Sequence, residues 1–187
     1  MERATGFITK LGVVVAAIAA IALGVAFSGC DTAPENANQV TEGQGMKLGD
    51  LLYNVQITRI LNPADEEDEA YLVGQPTPGP DQYYLAVFMA IDNDGDTSGQ
   101  VSSDMHIVDT LGDTFDPVPS KSLFALNLGA SLKPGDQLPQ DETTAANGPI
   151  EGAMVLFRID GSAIQDRPLT LHIASPDGST GEVELDL

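Results

Sequence analysis

The sequence predicts an all-β fold: an antiparallel β-sandwich of about seven to nine short strands, preceded by a signal helix and a disordered tether. Three observations predict it. From residue 46 onward, apolar residues recur at alternate positions rather than at helical spacing. Breaker clusters divide these stretches, and the 19 Gly and 12 Pro are scattered without a period. Two stretches are apolar at consecutive positions, the pattern of strands covered on both faces.

Taken in order, residues 1–29 read as a signal peptide. Arg3 and Lys10 precede an uncharged apolar stretch over 11–27, and the small residues Ser28 and Gly29 stand before Cys30. As a helix that stretch spans about 25 Å, short of a hydrocarbon core of roughly 30 Å. The tetrapeptide "FSGC" resembles the lipobox of bacterial lipoproteins, with Phe27 where Leu is usual. The resemblance implies lipidation of Cys30: the thiol is alkylated with diacylglycerol, the signal is cut before it, and palmitate-type acyl chains anchor the mature N-terminus. Two chains meet the requirement for stable anchoring. An uncleaved anchor or ordinary cleavage would equally put the remainder outside the cytoplasm. Cys30 is the single cysteine, so no disulfide joins two parts of this chain.

Residues 30–45, "CDTAPENANQVTEGQG", are polar and lack apolar periodicity, and read as lipidated Cys plus flexible tether. The sandwich is expected over 46–187. "LYNVQITRI" places Tyr53, Val55 and Ile57 on one face and Asn54, Gln56 and Thr58 on the other. "QYYLAVFMAI" and "GAMVLFRI" are the two stretches apolar on both sides. "PLTLHIA" points Leu169, Leu171 and Ile173 inward and Thr170 and His172 outward, and "GEVELDL" alternates acids with Val183, Leu185 and Leu187. Weaker strands are expected at "AYLV", "MHIVD" and "SLFALNL".

The order of an early strand, "YYLAVFMAIDNDGD", "IVDTLGDTFDP", "LKPGD" and "GAMVLFRI" resembles the telokin-like, immunoglobulin-fold domains of Gram-positive and actinobacterial envelope lipoproteins. The resemblance covers roughly residues 47–187 and implies an immunoglobulin-like β-sandwich with an envelope location. That family is uncharacterised and supplies no catalytic residues to carry over.

Acidic residues number 28 against 8 basic ones, for a net charge of −20. Nucleic acid is therefore not an expected partner, since phosphate binding needs clustered Lys and Arg. A cationic partner, a protein or a metal ion, is allowed electrostatically. Asp92, Asp94 and Asp96 occupy positions 1, 3 and 5 of a calcium loop. Position 6 is Thr97 rather than Gly, and position 12 is Ser103 rather than Glu, so the EF-hand reading fails. "NDG" after an apolar strand reads first as a turn. The second reading is a weak extracellular calcium site, which Asp104, Asp109 or Asp113 would help to complete. Asp65 to Glu69 is a run of acids expected in a solvated loop. His106 and His172 are far apart in sequence and form a metal pair only if the fold unites them.

No Gly-x-Ser-x-Gly, no free thiol after lipidation and no phosphate loop occurs. The expectation is a non-enzymatic, lipid-anchored binding module on the extracytoplasmic face of the membrane. It has no cofactor beyond a weak Ca2+, and loops near 62–82, 92–104 and 136–149 act as contact surfaces. A calcium- or solute-capturing envelope protein is the alternative, with a cell-wall hydrolase behind it.

Overall fold

Alternation becomes strand nearly throughout the computed structural model, which describes residues 38–187. In chain order the elements are β1 (Gln39–Thr41), β2 (Gly45–Leu48), β3 (Leu51–Leu61), β4 (Gln82–Asn93), β5 (Gly99–Gln100) and β6 (Asp104–Val108). Then come β7 (Thr114–Phe115), β8 (Ser131–Leu132), β9 (Gln137–Leu138), the short α1 (Thr144–Asn147), β10 (Ala153–Asp160), β11 (Leu169–Ala174) and β12 (Thr180–Leu185). Eight of these strands have three or more residues, in line with the expected seven to nine.

Two five-stranded sheets form the sandwich. Sheet A runs β1-β12-β11-β6-β7, and sheet B runs β10-β4-β3-β2 with β9 also on β4. Every pairing is antiparallel except β1 with β12. The inward faces meet in one core: Tyr53, Val55 and Met89 from sheet B lie in a cluster with Ile107, Leu171 and Val183 from sheet A. Each fully buried aliphatic or aromatic side chain contributes roughly 1.5–3 kcal/mol.

Sheet B is covered on its outer side as well. Tyr84, Phe88, Met154 and Leu156 are buried there beneath Tyr71, Phe124 and Ala145, which come from connecting segments. Tyr71 meets Phe88 edge-on at 5.2 Å between ring centroids and lies 4.6 Å from Phe124. This third layer is why "QYYLAVFMAI" and "GAMVLFRI" are apolar on both sides. β4 lies between β3 and β10. β10 has a free edge, which 117–126 covers: the Leu126 N–H donates to Met154 O (2.8 Å), and the Met154 N–H donates to Phe124 O (2.7 Å).

Four expectations are corrected. "AYLV" forms turns, with the Tyr71 and Leu72 N–H groups both donating to Asp68 O. "SLFALNL" likewise contributes one isolated bridge at Ala125 rather than a strand. Their apolar residues are there to roof sheet B, a role that needs no ladder. In β3, the pairing slips between Val55 and Ile57, leaving Gln56 as a bulge. Beyond it the faces exchange: Ile57 is 40% exposed, whereas Thr58 is buried. Finally, the folded region begins inside the segment read as tether. Gln39–Thr41 adds to the β12 edge, and the Glu42 carboxylate accepts from the N–H groups of Thr58 (3.0 Å) and Asp186 (3.2 Å). Only Val40 of this strand turns toward the core, so no apolar alternation advertised it. The signal peptide and Cys30 lie outside the described residues, and among those described no helix is long and apolar enough to cross a membrane.

Candidate functional site

The aspartate run is built as a turn around the residue between the acids. Asn93, buried at the end of β4, donates from Nδ2 to Thr97 O and Leu132 O, both at 2.8 Å. Its Oδ1 accepts from the Gly95 N–H at 3.1 Å. Asp92 is half-buried, while Asp94 and Asp96 are exposed. Asp94 forms an ion pair with Lys47 Nζ at 2.8 Å, and this hydrogen bond raises the Lys47 pKa above its ordinary value. Lys47 is thus a competitor of any cation for this carboxylate.

Two acids that sequence reasoning passed over stand beside the run. Asp50 accepts from the Thr97 hydroxyl, and Asp177 lines a cleft of about 410 Å³ together with Asp50, Thr97 and Ser98. The Ser179 hydroxyl and N–H both donate to Asp177, which lowers its pKa. The proposed helpers do not gather here. Asp104 and Asp109 bracket β6, about 17 Å apart along the strand. Asp109 Oδ1 accepts from the N–H groups of Leu111 and Asp113, both at 2.9 Å, which closes the β6–β7 turn. Among the described residues, no group of three or more His, Cys, Asp or Glu is arranged to hold a metal ion.

The acid run 65–69 is solvated at four of its five positions. Asp68 is the exception and corrects the loop reading. It is 1% exposed, forms an ion pair with Arg59 and accepts from the Asn62 N–H at 2.8 Å. The acid that looks interchangeable in sequence is the one that pins the loop to β3.

The expected contact loops do not share one end of the sandwich. Residues 62–81 connect β3 to β4 at one end of sheet B, and their Tyr71 roofs that sheet. The segments near 92–104 and 136–149 meet at the opposite end of β4, where Asn93 N–H donates to Asp136 O. The open surface is the outer face of sheet A. Strand register aligns His106 with His172, and His172 with Glu182, in one row across β6, β11 and β12. The imidazoles stack in parallel with centroids 5.1 Å apart. His172 Nδ1 lies 3.5 Å from Glu182 Oε1, and His106 Nδ1 lies 3.8 Å from Asp104 Oδ1. A shallow groove of about 320 Å³ adjoins the row, lined by Gln39, Thr41, Thr170, Glu182 and Glu184 among others. Both histidines sit at outward positions that alternation shows. Only the pairing of β6 with β11, which no local signal carries, brings them together.

No family model matches the chain, and no curated protein matches it. Solved structures with a similar fold include the yjhA protein of Bacillus subtilis, at 15% identity and a TM-score of 0.46, covering 80% of this chain and 99% of that one. An uncharacterised β-sandwich protein of Clostridium difficile 630 is similar at 12% identity and a TM-score of 0.48, covering 80% and 94%. The candidate lipoprotein ycdA of Bacillus subtilis is similar at 13% identity and a TM-score of 0.48, covering 78% of this chain and 39% of that one. The chain is a β-sandwich. That conclusion rests on its two sheets and the core they share.

Proposed function

We propose that the chain is a lipid-anchored binding module of the bacterial cell envelope, held on the extracytoplasmic face and without catalytic activity. The observation that carries this reading is how few residues separate an anchor signal from a sandwich in the sequence. "FSGC" ends a charged-then-apolar leader at Cys30, and β1 begins at Gln39. Nine residue steps span at most about 30 Å even fully extended, so a Cys30 anchor would keep the sandwich next to the lipid. The resemblance to telokin-like, immunoglobulin-fold lipoprotein domains supports the same address. The polar outer face of sheet A supports a binding role, because sheet B has its own outer face roofed by loops. The net charge of −20 favours a cationic or neutral protein partner and disfavours nucleic acid.

Two experiments test the proposal. Cys30→Ala should abolish incorporation of labelled palmitate and leave unprocessed precursor, whereas persistent labelling refutes the anchor. A photo-crosslinking residue at Thr170 should capture an envelope partner that the same residue at Glu66 does not. Equal capture at both positions would exclude sheet A as the contact face.

A further inference from the structure

We infer that His106 and His172 form a two-imidazole binding site for a borderline divalent transition-metal ion on the outer face of sheet A. The chain has two histidines in 187 residues, and the strand register makes them direct partners on β6 and β11. Their rings are parallel, with an interplanar angle of 0° and centroids 5.1 Å apart, and their side chains are 34% and 31% exposed. Both side chains therefore reach solvent, while the flanking Met105, Ile107, Leu171 and Ile173 anchor the strands in the core.

A carboxylate flanks each imidazole on the same side. Glu182 Oε1 at 3.5 Å and Asp104 Oδ1 at 3.8 Å both stand on the Nδ1 side of their imidazoles. With Nδ1 on the carboxylate side, as in the outer-shell arrangement common to metal-ligating histidines, Nε2 is the nitrogen assigned as the donor. Two nitrogens at about 2.0–2.1 Å from one ion lie roughly 3 Å apart, so the ring tips must converge while the strands keep their spacing. The parallel stack is thus the ion-free arrangement, and binding requires the two partly exposed imidazoles to turn toward each other.

Imidazole donors select Zn(II), Ni(II) or Cu(II) over calcium and magnesium, whose preferred ligands are oxygens. The remaining coordination positions are left to water, which makes the ion exchangeable rather than a structural clamp. The acidic surface raises the local cation concentration and adds to capture. This site is separate from the aspartate run and independent of the anchor at Cys30.

Cu(II) is the probe, since it binds nitrogen sites most tightly of the divalent series. The full chain, carrying Cys30→Ser to remove its single thiol, is titrated in detergent and followed by electron paramagnetic resonance. One Cu(II) per chain is expected, with hyperfine splitting from two imidazole nitrogens. His106→Ala and His172→Ala should each weaken binding about tenfold or more and leave a one-nitrogen spectrum, and Glu182→Gln should weaken it less. His106→Asn and His172→Gln serve as second variants that retain polar side chains, and unchanged thermal midpoints exclude a folding defect. The inference is overturned if either single variant binds as the parent does, if the spectrum reports oxygen donors alone, or if the parent binds no stoichiometric ion.

Discussion

Asn93 exposes the logic of the aspartate run to a direct test. Its side chain is 2% exposed and makes three hydrogen bonds, to Thr97 O, Leu132 O and the Gly95 N–H. Replacement by Ala removes all three and leaves two carbonyls short of a donor. At roughly 1 kcal/mol net per bond, the loss is about 3 kcal/mol, and more if water does not reach Leu132 O. Asn93→Asp preserves the shape but turns a donor into an acceptor, facing two carbonyl oxygens. Burial and this repulsion disfavour the charged form, so the introduced carboxyl has a folded pKa above its unfolded value of about 3.9. The sign then follows. Below the unfolded pKa the protonated carboxyl still donates one bond and the penalty is small. As pH rises through the folded pKa the penalty grows, by about 1.4 kcal/mol per unit of elevation. Urea unfolding of parent, Ala and Asp variants at pH 4 and pH 7, with m unchanged, measures both effects. A cost for Asn93→Ala below about 0.5 kcal/mol, or an Asp penalty that does not increase with pH, would refute the turn as described.

Three further outcomes follow from the same structure. Asp68→Ala strips Arg59 and the Asn62 N–H of their buried partner and should cost about 2–4 kcal/mol, with hydrogen exchange accelerating over 62–72. In Gly181→Ala, the new Cβ would fall inside van der Waals contact of Met46 Sδ and 3.2 Å from Asn38 O. It should destabilise by about 1–3 kcal/mol by urea unfolding, and adding Met46→Ala in the same chain should cost less than the sum of the two single variants, because it removes the clash with the Met46 side chain. For Asp177, whose pKa is lowered chiefly by Ser179, Ser179→Ala should raise the carboxyl titration midpoint seen by NMR. The Asp177 contribution to stability is present above the unfolded pKa and fades as pH falls through the folded one, so it is absent in acid.

The sandwich was legible because its strands carry period-two apolar patterns and its turns carry Gly, Pro, Asn and Asp. Tyr53, Val55, Leu171 and Val183 read inward in the sequence, and they are inward in the core. The double-sided "QYYLAVFMAI" announced a covered strand, though not what covers it. "AYLV" and "SLFALNL" have strand-like composition, yet they lie over sheet B as roof. Burial alone rewards an apolar side chain whether or not its backbone joins a ladder. Ile57 shows the opposite failure. One extra residue at Gln56 reverses the facing of everything after it, and alternation holds no mark of that slip.

By itself, then, the sequence determined the acidic balance, the all-β class and the faces of most strands, and it alone carries the pattern behind the proposed leader and lipidation at Cys30. These are local properties: side-chain polarity, spacing and turn chemistry act within a few residues. Only the tertiary structure decided that Gln39–Thr41 belongs to sheet A, that Asp68 alone of five acids is buried, and that Lys47 is paired to Asp94. It also decided that two histidines 66 positions apart stack at 5.1 Å. Each of these depends on which strands become neighbours, and strand pairing is settled by the summed burial of the whole core rather than by any residue that takes part in it.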